Sequence, residues 1–317
     1  MRTRDLTRLH NQVLHKIMAI QGRYEREIFV NYKSALDKIR TELDILYQKY
    51  SKAGALTYAE MSKFNRLDKL HTQLSDILGP TLSRNGRLVE DLRKVSYEES
   101  FYRHAWSINQ SAGVDLQWGL LNTKTIKAAV NAPEWRELKN IAIKRWKLQN
   151  FTQMDRVITQ GLIQGQSYTE MTKGIKKVLG NNAEDAARIA RTEAHRATVQ
   201  GQLASYDEAE DLGVNIKRVW DATLDRATRP DHGAMDGIAT EEDGMFHTSF
   251  GITEGPGLSG IPEQDINCRC SVRPEIEGYA PRVRRIRDEG VQSYKTYSEW
   301  AREKGITVNK YGQKLKL

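Results

Sequence analysis

Both cysteines of the chain lie close together after a glycine-rich stretch, in the segment QDINCRCSVRP. Because residues two apart on a β-strand point to the same face, a strand here would project Cys268 and Cys270 together. A disulfide between two such neighbours on one strand would be strained. The pair therefore indicates either two adjacent metal ligands or two reduced thiols.

A tetrahedral metal site needs two further ligands, and the preceding loop offers His232 and His247. A zinc ion bound by these histidines and by Cys268 and Cys270 would hold both ends of that loop. The C-x-C spacing and the long interval between the histidines both differ from those of common zinc motifs. The alternative is no cofactor, with two reduced thiols packed beneath the loop.

A second group of residues with acid–base potential fills the segment WDATLDRATRPDHGAMDG, which contains Asp221, Asp225, Arg226, Arg229, Asp231, His232 and Asp236. Carboxylates beside a histidine are typical of general acid/base catalysis or of metal-dependent hydrolysis. The same residue types also stabilise turns by bonding to nearby backbone groups. No nucleophile elbow, P-loop or H-E-x-x-H motif accompanies them, so we expect a structural role and no catalytic residue.

Long helices are predicted in the first part of the chain, before these segments. Apolar residues recur every three or four positions from Leu6 to Tyr50, which predicts one long amphipathic helix. Its apolar face could pack within this chain or against a partner. Thr57 and Glu60 have the spacing of a capping box and predict a second helix that ends at Gly79 and Pro80. A third helix is expected from about residue 82 to residue 108.

Shorter helices are expected in the second part of the chain. Pro133 begins one, Thr152 and Asp155 indicate the start of another, and Ser167 with Glu170 predicts a capped helix that ends at Gly180. A further helix should run from about residue 183 to Gly213. Its face of small residues allows another backbone to approach closely, and consists of Ala186, Ile189, Ala190, Ala197, Gly201 and Ala204.

Two segments alternate apolar and polar residues and are predicted as strands: residues 215–223 and residues 266–274. Between them, residues 225–260 read as one glycine-rich loop, which needs a ligand or a functional reason to be ordered. The expected fold class is α+β and mostly α-helical. A long-helix hairpin or bundle over 1–112 precedes a compact α+β domain over 113–278, with a small antiparallel sheet, and 279–317 form a basic tail with a short helix.

Composition limits the classes of protein to which the chain could belong. The N-terminus has no apolar stretch typical of a secretion signal, and no apolar run is long enough to span a membrane. We therefore expect no membrane association. Two cysteines without an export signal favour a reducing compartment.

The basic charge is concentrated at the C-terminal end. The chain has a formal net charge of +8, and the segment from Tyr279 onward contributes ten basic and four acidic residues, a surplus of six. Such a cluster favours contact with nucleic acid phosphates, and its densest part is Arg282, Arg284, Arg285 and Arg287. The alternative is a segment that only improves solubility.

Three motifs together resemble the Mu F-like family of phage minor head, or head-morphogenesis, proteins. The helix ARIARTEAHRA supplies Arg191, Thr192 and Glu193. The segment DRATRPDH supplies Asp225, Arg226, Arg229 and His232, with one residue more between its arginines than the D-x-R-x-R form. The closing motif NCRC supplies Asn267, Cys268, Arg269 and Cys270. The resemblance covers roughly residues 150–275.

This resemblance implies a virion protein that is present in few copies inside the capsid and is assembled in the host cytoplasm. It implies association with the portal protein, contact with packaged double-stranded DNA, and further contact with scaffold or major capsid protein. It also implies a part in packaging or DNA ejection, and no enzymatic role. Two other functions stay open: a metal-dependent nuclease or hydrolase, and a free-standing non-specific DNA-binding protein.

Overall fold

The computed structural model describes residues 3–112, 116–276, 284–286, 290–292, 302–303 and 305. Helices dominate it, which confirms the predicted α+β, mostly α-helical class. The long helices are α1 (Thr3–Tyr50), α3 (Arg66–Ala112), α5 (Pro133–Ile163) and α6 (Tyr168–Asp211). The short ones are α2 (Tyr58–Ser62), α4 (Thr123–Val130), α7 (Pro230–Ala234) and α8 (Pro262–Asp265). None of the helices in these ranges has an apolar stretch long enough to cross a membrane.

Three predicted helix boundaries are wrong, because the helices continue through them. Helix α3 runs through Gly79 and Pro80, α5 runs through Thr152, and α6 runs through Gly180. A proline inside a helix removes one backbone hydrogen bond, but leucines on both sides, Leu78 and Leu82, are buried on the same helix. Packing of that continuous apolar face offsets the local cost, which sequence signals alone do not reveal.

The two predicted capping boxes differ in the structure. At the start of α6, Ser167 Oγ accepts from the Glu170 amide (3.3 Å) and the Glu170 carboxylate accepts from the Ser167 amide (2.8 Å), as predicted. Thr57 likewise accepts from the Glu60 amide (3.3 Å) at the start of α2. The Glu60 carboxylate, however, pairs with neighbouring cations, Lys52, Lys63 and Arg66. Only the Ser167–Glu170 box is therefore reciprocal.

The chain divides into two compact units. The first consists of Met1–Gly22, Asp91–Arg136 and Arg191–Leu317, and the second of Arg23–Glu90 and Glu137–Ala190. The predicted boundary at residue 112 coincides with the end of α3, and the three-part division of the chain stays a prediction. Within the second unit, buried amides lie between the helices: Asn31 donates to Asn85 (2.7 Å). The R-T-E, DRATRPDH and NCRC segments all lie in the first unit.

The first unit contains the small antiparallel sheet. Strand β1 (Ile216–Asp221) pairs with β4 (Ser271–Ile276), from Ile216 opposite Ile276 to Asp221 opposite Ser271. The predicted glycine-rich loop is not structureless, since it contains α7 and the hairpin of β2 (Phe246–Thr248) with β3 (Gly251–Thr253). In addition, β5 (Arg284–Ile286) pairs antiparallel with β6 (Gly290–Gln292).

The second predicted strand begins later than expected. Strand β4 starts at Ser271, so Cys268 and Cys270 lie in the irregular segment before it and not on a strand. Asn267 has a φ of 56°, in the left-handed region, which turns the chain between α8 and this segment. Both cysteines are nevertheless buried in the same apolar cluster as Trp220, Phe246 and Val272.

A buried polar cluster fixes the start of β4. Gln202 of α6 accepts from the Val272 amide (3.3 Å), and Tyr206 donates to the Val272 carbonyl (3.0 Å). The His10 ring, from α1, lies 3.0 Å from the Ser271 hydroxyl. The nearby His104 ring is fully buried, and this burial lowers its pKa to about 3. The strand that follows the cysteines is thus held by side chains far apart in sequence.

Candidate functional site

Three donor groups from two separate motifs meet in the interior of the first unit. His232 lies on α7, and Cys268 and Cys270 lie in the segment before β4. His232 Nδ1 is 3.6 Å from Cys268 Sγ and 3.5 Å from Cys270 Sγ. All three residues are at most 4% exposed. In the part of the chain that the structure describes, this is the one group of three or more His, Cys, Asp or Glu ligands close enough to share a metal ion.

Neighbouring side chains orient the His232 ring. Its Nε2 lies 3.1 Å from the side-chain oxygen of Gln264, and Gln264 in turn donates to Asp231 (3.3 Å). Because that Gln264 oxygen is an acceptor, Nε2 carries the proton and Nδ1 presents its lone pair to the sulfurs. The ring stacks on Phe250 and contacts Trp220 edge-on. The imidazole is therefore fixed in both position and tautomer.

The two thiols do not ionise alike. A hydrogen bond from Cys268 lowers the pKa of Cys270. The same bond and burial raise the pKa of Cys268. The first negative charge on the pair therefore resides on Cys270, and this thiolate lies beside the imidazole.

His247, the fourth predicted zinc ligand, is not part of this group. It lies on β2, where Nε2 pairs with Asp243 (2.8 Å) and Nδ1 lies 3.8 Å from Glu241. The bond to Asp243 raises the pKa of His247, and the side chain is partly exposed. The structure thus brings together three of the four residues predicted to bind zinc.

The R-T-E motif of α6 contacts the closing motif directly. Thr192 Oγ1 accepts from the Asn267 amide (3.2 Å), at the turn that leads into the cysteines. Glu193 is 4% exposed and pairs with Arg93 (3.1 Å) and with Arg196 (2.5 Å). Arg191, the first residue of the motif, is half-buried.

The ion-pair partners of Glu193, Arg93 and Arg196, were not predicted from the sequence. Arg196 also donates to the Gly257 carbonyl (3.3 Å) and lies 3.7 Å from Asp265, so it connects α6 to the glycine-rich segment. Its spacing of three residues from Glu193 on one helix is a signal that could have identified it. Arg93 lies one hundred positions before Glu193, and no local pattern points to it.

The arginines and acids of the DRATRPDH motif bind the closing motif. Asp225 forms a two-pronged pair with Arg269, one distance of which is 2.7 Å, and this pairing holds the pKa of Asp225 well below its usual range. Arg229 donates to the Ile266 carbonyl (2.7 Å). Arg226 is exposed, and within the described ranges it has no ion-pair partner. Two of the three charged residues that begin this motif therefore have a structural contact.

The other acids of the second cluster bond to different partners and do not converge on His232. Asp236 accepts from the Ala222 amide (2.9 Å), and Asp221 accepts from Ser271 (3.2 Å). Asp231 accepts from Gln264. A small cleft opens beside the imidazole and thiols, and it is lined by Thr223, Ala227, Thr228, Arg229, His232, Asn267, Cys268, Arg269 and Cys270.

The predicted nucleic-acid contacts fall mostly outside the described residues. Arg282 and Arg287 lie outside them. The backbone of Arg284 and Arg285 belongs to β5, while their side chains are not described. DNA contact by this segment stays a prediction.

Comparison with known proteins agrees with the resemblance drawn from the motifs. Residues 152–273 match the family model described as Phage Mu protein F like protein, and this range contains all three motifs. The chain is 29% identical over 285 residues to the minor head protein GP7 of Bacillus phage SPP1, which covers 88% of this chain and 92% of that protein.

A second relative has a different printed name. The chain is 27% identical over 277 residues to NAD(+)–arginine ADP-ribosyltransferase EFV of Enterococcus faecalis strain ATCC 700802 / V583. This alignment covers 87% of the chain but 56% of the Enterococcus protein, so the chain spans little more than half of that relative. No solved structure matches the chain.

Proposed function

Residues 152–273 match the family model of Phage Mu protein F like proteins, and on this basis we propose that the protein is a minor component of a phage head that acts in head morphogenesis. The observation that carries the proposal is the alignment with the minor head protein of phage SPP1, which extends over nearly the whole of both chains. A match of this extent includes the N-terminal helices as well as the family domain. The similarity therefore extends beyond the three motifs to most of the chain.

We propose that the protein performs this role without catalytic turnover. The motif residues are engaged with one another: Thr192 with Asn267, Asp225 with Arg269, and Glu193 with two arginines. Groups held in such pairs stabilise a fold and are not available to a substrate. The transferase activity named for the Enterococcus relative is not transferred to this chain, because a large part of that protein has no counterpart here.

The partners of the protein in the head are inferred from its charge and from the family resemblance. We propose that the protein joins the portal inside the procapsid, with scaffold or major capsid protein as further contacts. The basic residues from Tyr279 onward would then lie near packaged double-stranded DNA, which they attract without reading its sequence. This location suits a part in genome packaging or in ejection.

Co-expression with a portal protein taken from neighbouring coding sequence tests this proposal. The full chain is required, because the first compact unit contains residues from both ends of the sequence, and removal of 1–110 would break it. We expect the chain to co-purify with the portal protein, to enter procapsids in few copies, and to resist protease added from outside. Procapsids assembled in its presence that contain none of it would contradict the proposal.

A nuclease assay separates this function from the enzymatic alternative. Duplex DNA is incubated with the full chain and Mg²⁺, Mn²⁺ or Zn²⁺, beside the variant His232→Asn. We expect no cleavage above background with either protein. Metal-dependent cleavage that the His232→Asn substitution abolishes, with the fold retained, would replace the structural proposal with a catalytic one.

A further inference from the structure

We propose that His232, Cys268 and Cys270 bind one zinc ion through Nδ1 and the two Sγ atoms. This site differs from the sequence-based prediction, since His247 is not a ligand. It is also independent of the role in head assembly. The donor distances, the number of acceptors in the cluster and the surroundings of the imidazole all support it.

The distances agree with tetrahedral coordination. Zinc binds sulfur at about 2.3 Å and imidazole nitrogen at about 2.0 to 2.1 Å, so a tetrahedral angle separates the two donors by about 3.5 Å. In the structure, His232 Nδ1 lies 3.6 Å from Cys268 Sγ and 3.5 Å from Cys270 Sγ. Both sulfurs therefore already lie at the separation that a shared ion requires.

Hydrogen bonding accounts for only one of the two close contacts between sulfur and Nδ1. A neutral imidazole has one acceptor nitrogen with one lone pair, which can receive a proton from one thiol only. Yet both sulfurs approach Nδ1 at nearly equal distances. A cation placed between the three atoms interacts with all of them at once, because the lone pair and both thiolates point to it. On binding, the thiol protons are released to solvent.

The surroundings are those of a metal ligand. Metal-bound imidazoles commonly donate their second ring nitrogen to an oxygen acceptor, and His232 Nε2 meets the Gln264 oxygen at 3.1 Å. Two sulfurs and one nitrogen form a soft ligand set that favours zinc over magnesium or calcium. With three protein ligands, the fourth coordination position is left for water from the cleft that Thr228 and Arg229 line.

Such a site would fix α7 to the segment before β4. His232 and the cysteines are more than thirty residues apart, and the elements between them are short, although Met235, Phe246 and Leu258 join the apolar cluster. A bound ion would therefore stabilise this part of the chain beyond what its own packing provides. The role is structural, and the protein residues that carry it are His232, Cys268 and Cys270, positioned by Gln264.

Metal content of the purified full chain tests the proposal. The protein is isolated under reducing conditions, stripped with a chelator and titrated with zinc alone. We expect one zinc per chain, and a higher melting temperature with zinc than without. Substituting Co²⁺ should give the visible absorption of a tetrahedral site and a thiolate-to-cobalt charge-transfer band.

Variants distinguish this site from other arrangements. Cys268→Ser, Cys270→Ser and His232→Asn should each abolish stoichiometric zinc binding, while His247→Asn, the matched control, should retain it. Gln264→Ala should weaken zinc affinity about 10- to 100-fold without changing the stoichiometry. Because ligand variants can fail to fold, the spectrum and stoichiometry of the unsubstituted protein are decisive. A reduced protein that binds no zinc, or a loss of zinc in His247→Asn, would overturn the proposal.

Discussion

The carboxylate of Glu193 lies between the guanidinium groups of Arg93 and Arg196, and all three residues are at most 5% exposed. A buried charge is tolerated only when it is paired, because removing it from water is costly. Arg196 extends this group to the Gly257 carbonyl and to Asp265. At the scale of single residues, the family motif therefore holds the glycine-rich segment against α6.

Replacing Glu193 with alanine should destabilise the protein by about 3 to 5 kcal/mol, because two buried guanidinium groups would lose their counter-charge. Urea unfolding of the purified chain, followed by circular dichroism, measures the change in the free energy of unfolding. Glu184→Ala is the control, since Glu184 is exposed on the same helix, and its effect should stay within about 0.5 kcal/mol. Equal effects of the two substitutions would show that the buried pairs contribute nothing.

At the scale of elements, α6 passes very close to α3 at one glycine. A Cβ atom on Gly201 would overlap with the carbonyl oxygen of Tyr97, a backbone atom that cannot rotate away. This agrees with the predicted face of small residues on the helix. The close approach also positions Gln202 and Tyr206 beneath β4, where they bond to Val272.

Gly201→Ala should therefore destabilise the first unit by about 1 to 3 kcal/mol or more, since the helices must separate to accommodate the methyl group. Gly180→Ala on the same helix is the matched control. Nothing lies within 4 Å of a Cβ at Gly180, so alanine there should raise stability by about 0.5 to 1 kcal/mol. Thermal unfolding of the three proteins measures both effects, and a stable Gly201→Ala protein would contradict the described helix contact.

At the scale of the whole molecule, charge is the feature that points beyond the fold. Six of the eight excess positive charges fall in the segment from Tyr279 onward. Each cation that neutralises a DNA phosphate releases bound counterions, which makes binding depend steeply on salt. Residues 1–278 have a nearly balanced formal charge, with a surplus of two positive charges.

The combined variant Arg282→Gln, Arg284→Gln, Arg285→Gln and Arg287→Gln should weaken duplex DNA binding equally for all sequences. It should also reduce the slope of log affinity against log salt by up to about 3 to 4. Fluorescence anisotropy at several salt concentrations measures the slope. Glutamine at the exposed lysines 144, 173, 176 and 177 is the control of equal charge, and it should have a smaller effect. Equal slopes for both variants would rule out a specific role for the tail.

The sequence by itself determined the local features of the fold. The spacing of apolar residues predicted α1, the reciprocal cap at Ser167 predicted the start of α6, and alternation predicted β1. These features depend on neighbouring residues only. The three motifs also indicated the resemblance to Phage Mu protein F like proteins, whose family model matches residues 152–273, because the order and spacing of motifs are properties of the sequence itself.

Only the tertiary structure decided where helices continue and which side chains meet. Packing along α3 outweighs the breaking signal of Pro80, and a distant residue, Arg93, pairs with Glu193. His232 meets both thiols although β4 begins after them, whereas His247 pairs with Asp243. Such contacts depend on the burial of apolar surface between distant segments, and no local pattern encodes which segments are brought together.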